Sequence, residues 1–354
     1  TYAQKYPNDL GVRWLLNIAA MAAEVAVDEI PLAHRIPRDV FESDGTVGRF
    51  LDVAAELGID TFDRCGGAIV DDFDGDGDLD LVSSTFDPRG AMTYYRNAGA
   101  DTFVDESVAS RLDQQLGGLN CLNGDYDGDG DVDILVLRGA WLFDDGRIRN
   151  SLLRNDGRGV FTDVTYEAGL AEPLAPTQAA AWGDFDLDGD LDLYIGNESR
   201  LESGDPAGNY PSQLFRNDGD GTFTDVAEAA GVTNDRYCKG VSVGDYDNDG
   251  DPDIYVSNFG ANRLYRNMGD WTFVDVGPEL GVTGPMRGFA AWFFDYDNDG
   301  WLDIFATAYE APIAAVAADH LGIGYRAAHP ALYRNTSKSG TISFANVTEA
   351  VGLD

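Results

Sequence analysis

Cysteine, histidine, lysine and long apolar runs are all scarce in this sequence of 354 residues. Asn17 and Glu24 interrupt the longest apolar stretch, which leaves it short of the roughly 18 residues that a membrane span needs, so no transmembrane helix is predicted. The three cysteines are too few and too widely spaced for a disulfide framework or a Cys-x-x-Cys metal site. We expect them to be small buried hydrophobic side chains: Cys65, Cys121 and Cys238.

Positive charge is scarce as well, because 24 Lys and Arg residues accompany 62 Asp and Glu residues, for a formal net charge of −38. A surface this negative repels phosphate backbones and anionic lipids, which argues against nucleic-acid and membrane-surface partners. Hydrophobic residues nevertheless make up 44% of the chain, enough for a substantial core. Many of the acidic residues are clustered, and clustered carboxylates need a cation.

One acidic motif, D-x-D-x-D-G-x-x-D, occurs five times along the chain. The copies lie in DDFDGDGDLDL (71–81), GDYDGDGDVDI (124–134), GDFDLDGDLDL (183–193), GDYDNDGDPDI (244–254) and FDYDNDGWLDI (294–304). Their first aspartates, at 72, 125, 184, 245 and 295, are separated by 53, 59, 61 and 50 residues. A second signature containing an Arg-Asn pair follows each copy, as in LLRNDGRGVFTDV after the second. The repeat therefore extends well beyond the acidic loop.

Each repeat reads as four short strands, which we name A to D. Strand A is the apolar stretch before the acidic motif, for example 66–70, and strand B begins within the motif, as in 191–195. Strand C ends in the Arg-Asn pair, and the Asn-x-Gly turn signal places a hairpin before strand D, Phe-x-Asp-Val. Four antiparallel strands per repeat predict an all-β fold, a β-propeller of four-stranded blades with five repeats visible.

The first part of the chain follows a helical pattern instead. Asn8 is placed to cap a helix and Pro31 to stop it. Apolar residues recur at helical spacing between them, at Leu10, Trp14, Ile18, Met21 or Ala22, and Val25. We therefore divide the chain into an N-terminal helical segment, residues 1–40, and propeller repeats, residues 41–354.

The five acidic loops are predicted to bind calcium, one ion in each, because Ca²⁺ takes roughly six to eight oxygen ligands in a flexible shell. Alternation places the carboxylates of positions 1, 3 and 5 inside one tight loop. Gly at position 6 lets the carbonyl of position 7 point inward, and Asp at position 9 closes the shell. The predicted ligand residues are Asp72, Asp74, Asp76, Asp78 and Asp80; Asp125, Asp127, Asp129, Asp131 and Asp133; Asp184, Asp186, Asp188, Asp190 and Asp192; Asp245, Asp247, Asp249, Asp251 and Asp253; and Asp295, Asp297, Asp299, Trp301 and Asp303.

Alternatives to a calcium loop fit the motif less well. Trp301 takes position 7 of the fifth loop, where the other loops have Asp, and a backbone carbonyl ligand does not depend on the side chain. An EF-hand needs helical flanks and a Glu at position 12. Position 12 of these loops is not Glu and lies in predicted strand B. Mg²⁺ prefers a smaller octahedral shell with retained waters. Acidic surface turns without an ion are the remaining alternative, and their crowded carboxylates would repel one another.

The acidic loops and the R-N-x-G-x-x-x-F-x-D-V strands of residues 48–354 resemble the FG-GAP and VCBS repeat proteins. These include the calcium-binding propeller of integrin α chains, and the resemblance is closer to the cartilage-acidic-protein-like family common in bacteria. The stretch YPNDLGVRWLLNIAA (6–20) looks like the helical, TPR-like segment that precedes such propellers in bacterial members. The resemblance implies a seven-bladed ring and a secreted, cell-surface or periplasmic bacterial protein.

Two functions are considered. The first is a non-catalytic extracellular module for interaction, adhesion or assembly, which binds a protein or glycan ligand through loops that calcium makes rigid. The second is a calcium-stabilised enzyme acting on polysaccharide, of the lyase or dehydratase type, which needs a base and a charge-stabilising group in one pocket. Candidate residues for such a pocket are His34, His320, His329 and Tyr325, with Arg64, Arg236 and Arg287 placed before their acidic motifs. We favour the module.

The two ends of the repeat region do not match. Residues 48–59, GRFLDVAAELGI, carry the strand D signature and its following turn, yet no strands A to C precede them. The fifth repeat has its own strand D, 343–347. An unpaired strand edge is rarely tolerated. We therefore expect either that the natural protein continues past Asp354 with the missing blades, or that the edge pairs with a second copy by strand addition.

Overall fold

A computed structural model describes residues 8–23, 25–41, 50–61, 64–100, 102–200, 208–309, 312–324, 328–338 and 340–353. The chain divides into two compact units. The first comprises Thr1–Leu51 and Ala308–His329, and the second comprises Asp52–Thr307 and Pro330–Asp354. The domain boundaries suggested by the sequence, 1–40 and 41–354, stay a prediction.

The first unit contains the predicted N-terminal helix, α1, Leu10–Ala22. Its N-cap is Asp9 rather than Asn8, because the Asp9 carboxylate accepts a hydrogen bond from the Val12 amide at 3.1 Å. The helix ends well before Pro31. Three short 3₁₀ turns follow, at Val27–Glu29, Leu32–His34 and Arg38–Phe41.

Within this unit α1 packs through only part of the predicted apolar stripe. Gly11 is buried, whereas Ile18 is 40% exposed. A Cβ atom on Gly11 would contact the first turn of a second helix, α5, Ile313–His320. Trp14 stacks on His320 of that helix with ring centroids 5.1 Å apart. Close approach of the two backbones at Gly11 therefore adds to the contact that Trp14 makes, and the spacing of large apolar residues reveals only the second.

The second unit contains five four-stranded antiparallel sheets, one for each acidic motif, with the strands of each sheet in chain order. The predicted fold class is therefore confirmed. We call the sheets blades 1 to 5. Blade 1 consists of β1 Cys65–Asp71, β2 Asp80–Thr85, β3 Thr93–Asn97 and β4 Phe103–Asp105. Blade 2 consists of β5 Asn120–Gly124, β6 Asp133–Leu137, β7 Ser151–Asn155 and β8 Phe161–Asp163. Blade 3 consists of β9 Thr177–Gly183, β10 Asp192–Asn197, β11 Gln213–Asn217 and β12 Phe223–Asp225.

The remaining blades follow the same plan. Blade 4 consists of β13 Tyr237–Gly244, β14 Asp253–Phe259, β15 Arg263–Asn267 and β16 Phe273–Asp275. Blade 5 consists of β17 Gly288–Phe294, β18 Asp303–Ala308, β19 Ala331–Asn335 and β20 Phe344–Asn346. Short helices α3 Ala227–Ala230 and α4 Gly277–Leu280, and 3₁₀ turns at Leu112–Gln114 and Phe143–Gly146, connect strands, whereas helix α2 Ala54–Leu57 precedes the first strand and a 3₁₀ turn at Glu349–Val351 follows the last.

The hydrophobic cores lie between consecutive blades. Side chains alternate along β6, so that Ile134 and Val136 pack against blade 1 while Leu135 and Leu137 pack against blade 3. The same alternation produces one core between blades 3 and 4 and another between blades 4 and 5. A strand that is buried on both faces reads as a continuous apolar run, which is why strand B was recognisable in the sequence.

In blades 2 to 5 the asparagine of the Arg-Asn pair joins its blade to the preceding one. Its side-chain amide donates to the main-chain carbonyl of position 2 in the preceding acidic loop. These bonds run from Asn155 to Phe73 (2.8 Å), from Asn217 to Tyr126 (2.7 Å), from Asn267 to Phe185 (2.8 Å) and from Asn335 to Tyr246 (2.8 Å). Asn97 of blade 1 bonds only within its own blade, where its amides donate to Asp80 Oδ1 and to the Leu79 carbonyl. No blade precedes it among the described residues.

Replacement of Asn217 by alanine should lower the free energy of unfolding by about 2 kcal/mol more than the Asn97→Ala change, since only Asn217 satisfies a carbonyl of another blade. Both asparagines accept a hydrogen bond from the amide of the glycine two residues later in the chain. Both variants lose this bond, so it does not contribute to the difference between them. Urea unfolding of the two variants in one buffer gives the difference. Equal losses would show that the inter-blade bond contributes nothing to stability.

The strand predicted over residues 48–53 is not formed in its described part. Residues 50–53 lie in no strand, residues 48 and 49 lie outside the described residues, and Phe50 is 92% exposed. The turn that follows is formed, as α2 and a left-handed Gly58. A strand D exists only by pairing with a strand C, and the described residues before it offer none. The expectations about the missing blades and about self-association stay predictions.

Two of the three cysteines are buried as predicted, and Cys65 is exposed. Cys238 lies against blade 3, where a Cβ atom on Gly196 would clash with its sulfur. Burial raises the pKa of the Cys238 thiol to about 12, so it stays protonated. Cys65 begins β1 of the first blade, and no described blade precedes it to cover the thiol.

Candidate metal centres

Each acidic motif forms the loop between strands A and B of its blade, and the first aspartate organises it. In blade 1, Asp72 Oδ1 accepts from the amide of Asp76 at 3.1 Å and Asp72 Oδ2 from the amide of Gly77 at 3.0 Å. The other four loops repeat both bonds. Gly77 has φ 91°, a left-handed conformation that favours glycine, as the motif predicted for position 6.

The folded loops bring carboxylate oxygens together. In each loop one oxygen from each of three aspartates lies within 4.8 Å of the others. Four loops gather positions 1, 3 and 9, and the fifth gathers positions 1, 3 and 5. The triads are Asp72, Asp74 and Asp80; Asp125, Asp127 and Asp133; Asp184, Asp186 and Asp192; Asp245, Asp247 and Asp253; and Asp295, Asp297 and Asp299.

The aspartate of position 9 forms the buried floor of the loop. In blade 4, Asp253 is fully buried; its Oδ2 accepts from the Tyr246 amide at 3.1 Å and its Oδ1 from the Asn267 amide at 2.9 Å. Burial raises the pKa of Asp253 to about 8, and those of Asp133 and Asp192 to about 7. Removing a carboxylate from water disfavours its charged form unless a cation compensates.

The aspartate of position 3 gives the clearest indication of a ligand. Asp247 is 8% exposed, and its Oδ1 is buried without a hydrogen-bond partner among the described residues. The Oδ1 atoms of Asp127 and Asp297, at the same position of two other loops, are in the same state. An unsatisfied buried carboxylate oxygen is costly, and a hard cation satisfies it. The residues present therefore fit a divalent metal ion with oxygen ligands.

Comparison with known proteins agrees with the repeats and the fold. The model of the FG-GAP-like repeat matches residues 72–136, 125–195, 205–256 and 245–306. The chain belongs to the FG-GAP-like repeat family. It is 29% identical to human cartilage acidic protein 1 and 30% identical to the mouse protein, each over 216 residues, or 56% of this chain. The chain spans about a third of the length of these relatives, 31% and 32%.

Solved structures resemble the FG-GAP-like chain more distantly. An Agrocybe aegerita lectin has 20% identity and a TM-score of 0.44, and the match covers 80% of this chain and 65% of the lectin. The V. cholerae biofilm matrix protein Bap1 has 12% identity and a TM-score of 0.40, with coverage of 71% and 36%. The exotype rhamnogalacturonan lyase YesX has 14% identity and a TM-score of 0.38, with coverage of 79% and 55%. Similarity at this level does not indicate a function.

Positions 5 and 7 of the FG-GAP-like loops have different surroundings. The side chain of position 5 accepts from the amide of position 7, as from Asp78 to Asp76 at 2.9 Å. The side chain of position 7 lies beside the glycine of the Asn-x-Gly turn, and a Cβ atom on Gly157 would come within 2.5 Å of Asp131 Oδ2. In blade 5 both residues differ, since Trp301 replaces the aspartate and Ser337 the glycine. This paired change is visible in the sequence, although its meaning depends on the contact between the two positions.

The residues suggested for an enzyme site are spread between the two units. In the first unit, His34 is buried and His320 stacks on Trp14. Tyr325 lies outside the described residues. In the second unit, three arginines directly precede the first strands of blades 1, 4 and 5, at the end of each blade opposite its FG-GAP-like loop: Arg64, Arg236 and Arg287.

A buried ion pair was missed in the sequence. Lys239 Nζ and Glu198 Oε1 pair with side chains that are 0% and 1% exposed. Lys239 also donates to Gln178 Oε1 at 2.6 Å and lies 3.2 Å from the ring centroid of Trp141. These residues come from blades 2, 3 and 4, and only the scarcity of lysine in the chain hinted at a special role.

Proposed function

We propose that this protein is a calcium-binding extracellular β-propeller that serves as a non-catalytic interaction, adhesion or assembly module. The observation that carries the proposal is the buried, unpartnered Oδ1 of Asp247, which recurs in Asp127 and Asp297. Each of these aspartates also offers one oxygen that lies within 4.8 Å of an oxygen from each of two other aspartates of its loop. Calcium suits such a site because it accepts an irregular shell of oxygens, whereas magnesium demands near-octahedral geometry.

In each loop the carboxylates of positions 1, 3, 5 and 9 and the carbonyl of position 7 are the proposed ligands. A bound ion supplies positive charge to a set of carboxylates that otherwise repel one another. The chain itself contributes the fold of the loop, through the bonds that position 1 accepts from two amides. Position 9 begins strand B, so a filled site also ties the loop to its sheet.

The location and partner follow from the same proposal. Calcium modules with modest affinity are filled at extracellular calcium concentrations, so we propose a secreted, cell-surface or periplasmic protein, in a bacterium, that binds a protein or glycan ligand. Among the described residues no helix is both long and apolar enough to cross a membrane. The polysaccharide-enzyme alternative has no comparable observation in its support.

Incubating the labelled chain with protein and glycan arrays, once in calcium and once in chelator, tests whether it is a calcium-dependent binding module. The expected result is retention on a defined class of ligand in calcium only. Retention that is equal in chelator would contradict a calcium-supported surface. Turnover of a polysaccharide in the same calcium buffer would contradict the non-catalytic module and favour the enzyme.

In the fifth loop we expect Trp301→Ala to leave calcium binding nearly unchanged and Asp303→Asn to weaken it roughly tenfold or more. Position 7 offers a main-chain carbonyl, which the first change keeps, whereas the second change removes a buried carboxylate charge. Isothermal titration with calcium measures both variants. Equal losses would contradict the assignment of position 7 as a backbone ligand.

A further inference from the structure

The arginine of the Arg-Asn pair contacts the acidic loop of its own blade. Arg334 Nη2 lies 2.6 Å from Asp297 Oδ2, and Arg266 Nε lies 2.8 Å from Asp247 Oδ2. Arg96 Nε lies 3.8 Å from Asp74 Oδ2. In each case the acid is position 3 of the loop.

The two oxygens of the position 3 carboxylate have different surroundings. In Asp247 and Asp297 the arginine forms an ion pair with Oδ2, while Oδ1 is buried and has neither an ion pair nor a hydrogen-bond partner among the described residues; Asp247 Oδ2 has the ion pair but no hydrogen bond. An outer group that holds one oxygen of a ligand fixes the direction in which the other points. The arginine is therefore a positioning residue, and it also places a positive charge close to the proposed ion.

Blade 3 is built differently. Arg216 pairs with Asp218, Nη2 to Oδ1 at 2.7 Å, rather than with the position 3 carboxylate, although Asp186 is near enough to help raise the pKa of Arg216. The position 3 carboxylate, Asp186, instead accepts from the indole Nε1 of Trp271 in blade 4, at 3.0 Å. The third loop thus keeps a donor on its position 3 aspartate, but the donor is neutral.

Blade 5 lies at the other extreme. Its loop has four aspartates, because Trp301 takes position 7, whereas the third loop has five. Arg334 also offsets part of that smaller negative charge, and its contact with the position 3 aspartate is the shortest of the three arginine contacts given above. Calcium affinity follows the number of ligand charges and the rigidity of the site.

We propose that the arginine of the Arg-Asn pair, or the indole of Trp271 in its place, sets the calcium affinity of blades 1, 3, 4 and 5, so that among these four the third site is the tightest and the fifth the weakest. The proposal rests on the proposed calcium function. A unit charge about 6 Å from a divalent ion in a water-like dielectric changes its affinity roughly tenfold, so the third site fills before the fifth as calcium rises.

The chain carries its own reporters for a test. Trp271 donates to the third loop and Trp301 lies within the fifth, among six tryptophans in all. We would label the full chain with 5-fluorotryptophan, assign both fluorine resonances by Trp→Phe changes, and titrate with calcium chloride. The free calcium concentration at the midpoint of the Trp271 shift should be lower than that of the Trp301 shift by a factor of roughly ten or more.

Two matched variants separate charge from structure. Arg334→Gln keeps a donor near Asp297 but removes the charge, so the midpoint of the Trp301 resonance should fall roughly tenfold, and by less at high salt. Arg216→Gln, at the same place in the repeat, should shift the Trp271 midpoint less than about twofold, since Arg216 pairs with Asp218.

Each outcome has a defined consequence. Equal midpoints for the two resonances, or an Arg334→Gln midpoint that does not move, would overturn the inference while leaving calcium binding intact. If neither resonance responds to calcium, the proposed function itself fails. Melting of the metal-free variants confirms that they fold, because the Arg334 side chain is 41% exposed and its loss should not unfold the blade.

Discussion

Removal of calcium should lower the unfolding temperature of this protein by at least about 10 °C. An ion that binds the folded state alone stabilises it by about 2.7 kcal/mol at a hundred times its dissociation constant, and five sites multiply that value. For a domain of this size each kcal/mol corresponds to roughly 2 °C. The measurement is thermal unfolding by circular dichroism in excess calcium and after exhaustive chelation.

A matched variant tests whether the loops cause this shift. Asparagine at position 1 of all five loops keeps the shape of the side chain but removes one charge from each site, together with one of the two bonds that this side chain accepts from the loop amides: Asp72, Asp125, Asp184, Asp245 and Asp295. We expect this variant to melt at the same temperature with and without chelator, and renewed calcium to restore only the unaltered protein. Unchanged melting and unchanged far-UV signal of the unaltered protein after chelation would rule out calcium binding by the loops.

The second large effect is expected at the buried ion pair. Glu198→Gln leaves the Lys239 ammonium in a site that is 0% exposed without its counter-charge, which should cost about 3–5 kcal/mol at pH 7. The carboxylate also accepts from the main-chain amide of Trp141 at 2.8 Å, so the change loosens three blades together. Urea unfolding measures the loss, and the double variant with Lys239→Met should regain much of it.

The pH dependence of that loss gives a further check. Burial lowers the pKa of Lys239 to about 8, below the ordinary value near 10.5 that the unfolded chain retains. The unfolded state therefore binds more protons between these values, so this group adds stability as pH rises from about 8 to 10.5. Without Glu198 the folded pKa falls further, and the Glu198→Gln penalty should shrink between pH 7 and pH 10. A penalty that stays constant over this range would exclude a charged, unpaired lysine as its cause.

The repeated part of the molecule was predictable because its signals are local. The acidic loop, the glycine at position 6 and the Asn-x-Gly turn each act within a few residues, and strand B is an apolar run that the sequence shows directly. Gly77, for example, has the left-handed backbone that its place in the motif required. Five copies in register then indicate one blade each.

Contacts between blades were not predictable in the same way. Asn217 reaches the carbonyl of Tyr126, 91 residues away, and Lys239 reaches Glu198 from another blade. Nothing in the neighbouring sequence distinguishes such an asparagine from an ordinary turn residue. The helix α1 shows the same limit, because the spacing of its large apolar residues indicates the contact of Trp14 but not the close contact at Gly11.

The most direct test of calcium binding by the acidic loops is a crystal structure grown in calcium, with anomalous differences recorded at a wavelength where calcium scatters strongly. We predict five peaks, one in each acidic loop, each surrounded by the carboxylates of positions 1, 3, 5 and 9 and the carbonyl of position 7. Loops without anomalous density in saturating calcium, or peaks that lie elsewhere on the molecule, would contradict this prediction.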